Sequence, residues 1–112
     1  MTRRISWVGN SLKDLQKFPE AVQSQITFAL EIAARGEAAD TAKPMKGLGA
    51  GVFEIAIWYR TDAYRAVYAV RFGPDIHVPH AFQKKSKTGI KTPQREIDLI
   101  KDRLKRLKEM LR

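Results

Sequence analysis

Two histidines and no cysteine leave this 112-residue sequence short of the side chains on which most hydrolases depend. Disulfides, iron–sulfur clusters, thiolate zinc sites and a thiol nucleophile are excluded together. His77 and His80 stand three apart in a segment with strand character, which predicts opposite faces and no shared metal ion. No nucleophile-elbow pattern supports a Ser/His/Asp triad. What the chain has in excess is cations: Arg65 and Arg71 in one alternating segment, then Lys84, Lys85, Lys87 and Lys91 in a stretch without an acid. That inventory suits a substrate carrying its own nucleophile. In RNA the 2′-hydroxyl can attack the adjacent phosphate, so the protein need supply only a proton acceptor, charge stabilisation and a donor for the leaving oxygen. Arginine forks fit the phosphate, which makes Arg65 and Arg71 charge stabilisers. Crowded ammonium groups lower one another's pKa, which makes a base available among Lys84, Lys85 and Lys87. The competing role for those lysines is a solvated loop. Neither a metal nor a cofactor is expected.

Aromatic side chains can hold splayed bases by stacking, and Phe82, Trp58 and Tyr59 are candidates, with core packing as the competing role for each. Arg60, Gln83 and Lys91 complete the residues expected to touch RNA. The net charge of +9 is unevenly spread. Residues 1–42 carry five bases and five acids, whereas residues 43–112 carry sixteen bases and seven acids. This asymmetry favours a polyanionic partner, nucleic acid or ribosome before a membrane. No apolar run approaches a membrane span or a signal-peptide core, so a cytoplasmic chain with no membrane partner is expected.

The elements that must position these groups follow from periodicity. Ile5 to Val8 reads as a short opening strand. Asn10 and Ser11 precede a first helical turn or two, which Phe18-Pro19 interrupts. A second helix starts at Pro19, with Val22, Ile26, Ala29, Leu30 and Ala33 on one face, and Gly36 ends it. Gly47, Gly49 and Gly51 lie before a strand rather than a helix, which rules out a phosphate loop. From Val52 the period becomes two. Phe53, Ile55, Ile57 and Tyr59 share a face, then Tyr64, Ala66, Tyr68, Val70 and Phe72, leaving Arg65 and Arg71 on the reverse. Thr61-Asp62-Ala63 and Gly73-Pro74-Asp75 are the expected turns. In a third strand Ile76, Val78, His80 and Phe82 are expected on one side, and Pro79 marks an edge, a bulge or an early end. Thr92-Pro93 opens a last helix. Its stripe of Ile97, Ile100, Leu104, Leu107 and Leu111 is either core or a partner seam. The expected architecture is a single α+β domain over 1–112. A short strand and a three-stranded antiparallel meander pack against an N-terminal helical hairpin, with a C-terminal helix added.

Over nearly the whole chain the sequence resembles the phage-derived, HigB-like branch of the RelE/ParE toxin superfamily. The resemblance is carried by Trp7-Val8-Gly9-Asn10-Ser11, by Ala42-Lys43-Pro44-Met45-Lys46-Gly47-Leu48-Gly49, and most specifically by Tyr64-Arg65-Ala66-Val67-Tyr68-Ala69-Val70-Arg71-Phe72 and His80-Ala81-Phe82-Gln83-Lys84-Lys85-Ser86-Lys87-Thr88. It implies a RelE/ParE-like fold and a metal-independent endoribonuclease that cuts mRNA on the ribosome. It also implies neutralisation by a cognate helix-turn-helix antitoxin. The family's strand arginine falls on Arg65 and its trailing basic residues on Lys84, Lys85 and Lys87, while Lys43 and Lys46 occupy the region of substrate-contacting lysines. Pro79 departs from the family pattern, and no tyrosine follows Phe82, so the leaving-group acid is unassigned, with Lys87 and His80 as candidates. Two other functions fit the same fold: a ParE-like, non-enzymatic inhibitor of DNA gyrase, and a basic RNA-binding domain.

Overall fold

A computed structural model describes residues 2–85 and 92–111. The element order is β1 (Ile5–Trp7), α1 (Ser11–Gln16), α2 (Glu20–Ala34), β2 (Ala42–Pro44), β3 (Val52–Tyr59), β4 (Asp62–Ala69), β5 (Ile76–Lys85) and α3 (Gln94–Met110). The strands form one sheet in the order β1-β5-β4-β3-β2, antiparallel throughout except that β1 runs parallel to β5. The expected α+β arrangement of meander, helical hairpin and C-terminal helix is present. Strand β2 is an addition, since three residues ending in proline give too little alternation to read.

The hairpin α1–α2 covers the face predicted for it. Val22, Ile26, Ala29, Leu30 and Ala33 pack on Ile55, Ile57, Tyr64, Ala66 and Tyr68. The first hairpin turn is shorter than expected: Tyr59 pairs with Asp62, so Arg60 and Thr61 alone make the loop, with Arg60 at φ 59°. Arg3 holds the second turn. Its guanidinium donates to the carbonyls of Val70 at 2.7 Å and Pro74 at 2.8 Å.

The third strand departs from simple alternation. Val67 pairs with His80 and Ala69 with His77, so two steps on β4 oppose three on β5. The extra residue is a β-bulge at Val78–Pro79, which reverses the alternation beyond it. His77, His80 and Phe82 therefore share a side, and Ala81 joins Ile76 and Val78 on the other; this corrects the opposite-face expectation for the histidines. Pro79 is buried in a central strand, because a bulged residue needs no ladder N–H. Its carbonyl accepts from Arg103 Nη1 at 2.8 Å.

The second sheet face is not left to solvent. Helix α3 lies on it, burying Ile100 and Leu104 against Val52, Val67, Ala69 and Phe82, so its apolar stripe is core rather than a free partner seam. Leu111, the last position of that stripe, stays exposed. Among the described residues no helix is long and apolar enough to cross a membrane.

Candidate functional site

Cross-strand register builds the site in rows on the α3 face. One row runs His80, Val67, Glu54, Lys43; the next Phe82, Arg65, Ala56; the next Lys84, Ala63, Trp58. Alternation along each strand brings all of these side chains to one face. The small side chain of Ala56, opposite Arg65, leaves room beside the arginine. The result is an open cleft of about 460 Å³ lined by Asp40, Thr41, Lys43, Glu54, Ala56, Trp58 and Arg65.

Arg65 is 6% exposed and cannot be a swinging surface cation. Its Nη1 donates to Glu54 Oε1 at 2.6 Å, while Thr92 Oγ1 donates to Glu54 Oε2 at 2.9 Å. Glu54 thus ties the floor of the cleft to the entry of α3, and neither of its oxygens is idle. A charge-assisted bond between two largely buried partners fixes the guanidinium in place. Lys84 is buried on the same face, and its pKa lies below the ordinary lysine value. Burial is the main cause, the Arg65 charge adds to it, and Glu54 opposes. Crowding by other lysines was the expected cause; here desolvation leads.

Trp58 projects into solvent at the cleft wall, 57% exposed, whereas Phe82 is buried beneath α3 and stacks on the His80 ring with centroids 5.0 Å apart. Of these two aromatics, Trp58 is the one placed to receive a base. Tyr59 lies on the other face against the hairpin helices. His80 Nε2 donates to Glu96 Oε1 at 3.1 Å, which leaves Nδ1 to accept from Arg103 Nη1 at 3.4 Å. This ring is committed to holding α3 and is closed off from a leaving group.

The other candidates are spread out. Lys43 is exposed on the cleft rim, and Lys46 lies beyond it in the loop after β2. Arg71 follows the end of β4, six residues past Arg65. It lines a different groove. Arg60 sits in the β3–β4 turn over the Tyr59 ring, and Gln83 faces the hairpin side, donating to Asp62 Oδ2 at 2.5 Å. Lys85 ends β5 opposite Asp62. Lys87 and Lys91 lie outside the described residues.

Two cations therefore line the cleft, Lys43 and Arg65, balanced in part by Glu54 and Asp40, and Lys84 lies on the same face within reach of the Arg65 charge. Of the two acids, neither of which the sequence singled out, Glu54 is the one bonded to Arg65. The available signal was its place opposite Lys43 and one diagonal from Arg65, which requires the strand register. No group of acids and histidines able to hold a metal ion occurs among the described residues.

Residues 13–105 match the family described as Phage derived protein Gp49-like. The chain belongs to that family. Among solved structures, the free-state structure of a double arginine-to-alanine mutant of the E. coli toxin RelE is similar, with a TM-score of 0.63 at 18% identity, over 95% of this chain and 98% of that one. The Gp49-like chain thus has the RelE fold, as its sequence led us to expect. No curated protein sequence matches significantly.

Proposed function

We propose that this Gp49-like chain is the toxin of a toxin–antitoxin pair and acts as a ribosome-dependent, metal-independent endoribonuclease on mRNA. The observation that carries this reading is the pairing of a fixed guanidinium, Arg65, with a buried lysine of lowered pKa, Lys84, beside an open cleft walled by an exposed tryptophan. The strand enters with its phosphate over Arg65 and a base against Trp58, while Lys43 holds a flanking phosphate. Lys84 in its neutral form takes the 2′-hydroxyl proton as that oxygen attacks phosphorus. Glu54 is the weaker acceptor because both of its oxygens already receive hydrogen bonds. Arg65 stabilises the extra charge on the pentacoordinate phosphate. The 5′-oxygen leaves with a proton from solvent or the ribosome, and a 2′,3′-cyclic phosphate remains. A cleft this open holds substrate poorly alone, which fits a need for the ribosome to place the strand.

The cognate antitoxin and the cytoplasm complete the reading. The test is cleavage of a defined mRNA by purified protein, with and without programmed ribosomes. Arg65→Lys keeps a charge opposite Glu54 but loses the fork. It is expected to slow cleavage by about 10²–10³-fold with the fold intact. Undiminished cleavage by that variant would overturn the assignment, and a DNA-damage response without RNA cutting would favour gyrase inhibition instead.

A further inference from the structure

A second concave surface lies at the far end of β4 from the cleft, between the glycine-punctuated loop after β2 and helix α3. It is a groove of about 380 Å³ with two distinct kinds of lining. Leu48, Phe72 and Leu104 give an apolar floor, and Arg71, Lys101, Lys105 and Lys108 form the rim, with no carboxylate among the described lining residues. Lys101, Lys105 and Lys108 recur at helical spacing and so stand along one side of α3. Arg71 is also held: a Cβ on Gly51, itself at φ +77°, would come within 2.5 Å of Arg71 Cγ, so this glycine lets the arginine stem lie against the loop. The glycine series therefore has a structural use here, in shaping one wall and seating one cation.

We propose that this groove docks an acidic amphipathic segment of a partner protein, aliphatic side chains on the floor and carboxylates on the cationic rim. The two linings together decide the class of occupant. An RNA backbone would satisfy the rim but leave Leu48 and Phe72 facing sugar and phosphate. A purely aliphatic segment would fill the floor but strip water from four cations without pairing them. Only a segment with both chemistries matches both, in the manner of an amphipathic helix in a groove. The groove is separate from the RNA cleft, and its binding does not depend on whether the chain cuts RNA.

The test uses the full chain and a synthetic helical peptide of about 20 residues with leucine at i, i+3, i+4 and i+7 and glutamate on the flanks, read by fluorescence anisotropy at near-physiological salt, where longer-range charge effects are screened. A permuted peptide of identical composition, its leucines spread round the helix, is the control for charge alone, and a short duplex RNA is the competitor. The expected result is binding of the patterned peptide at least about tenfold tighter than the permuted one. Lys101→Glu with Lys105→Glu should lose that binding by at least about tenfold, and Lys43→Glu in the cleft should not. Circular dichroism verifies that the exposed double variant is folded. Absence of peptide binding, equal binding of the two peptides, or a double variant that binds as well as the parent would each overturn the proposal. Displacement of both peptides alike by RNA would show a general polyanion surface and would overturn it as well.

Discussion

Arg65 and Lys84 draw their properties from burial rather than from their own chemistry. An arginine on a solvated strand is a mobile cation, whereas Arg65 is fixed by Glu54, which in turn is fixed by Thr92 at the entry to α3. Lys84 loses hydration and faces Arg65, so its charged form is disfavoured. This gives a kinetic prediction. Cleavage should rise with pH through the lowered Lys84 value, and Lys84→Arg should remove that limb and cost about 10²–10⁴-fold in rate. The same shift has a stability consequence with a definite sign. Between the lowered folded value and 10.5 the unfolded chain binds more protons, so unfolding free energy rises with pH across that window. Lys84→Met should flatten the rise in a pH series of denaturant melts; an unchanged slope would contradict the desolvated placement. The placement of Arg65 on the sheet face away from the hairpin helices was readable from its alternating strand. Glu54 was not, because it is one acid in a half-apolar strand until the register with Arg65 and Lys43 is known.

At the level of elements, most of the fold was legible because its patterns are long. The hairpin helices and the first two strands of the meander, β3 and β4, repeat their apolar positions often enough to fix a face. What alternation missed is local. One bulge at Val78–Pro79 reverses the second half of β5, turning His80 and Phe82 toward α3 and giving the helix something to cover. Periodicity also left the α3 stripe open between core and seam, since an amphipathic stripe does not name its partner. The structure divides that stripe: Leu104 is buried and Leu111 is not. Leu104→Ala should therefore cost about 2–5 kcal/mol of stability in urea melts. Leu111→Ala should change it by no more than about 0.5 kcal/mol. Equal effects would mean that α3 does not sit as described.

For the whole molecule, the C-terminal excess of positive charge divides into separate surfaces. Lys43 and Arg65 line the cleft with Lys84 near Arg65 on the same face, and Arg71 and three lysines of α3 line the groove. A net charge total cannot reveal that division, because strand register and the placement of α3 decide which cations meet. Binding to single-stranded RNA should weaken linearly on a logarithmic salt scale. Lys43→Ala should reduce the slope by about 0.7 if Lys43 neutralises one phosphate. An identical slope would remove Lys43 from the RNA path.

The central claim, that the Arg65 cleft cuts mRNA during translation, is tested most directly by mapping transcript 5′ ends after brief induction of the chain in cells. The account predicts new ends inside translated regions, absent when initiation is blocked and absent with Arg65→Lys. Growth arrest with transcripts intact, or the same new ends from the Arg65→Lys variant, would contradict it.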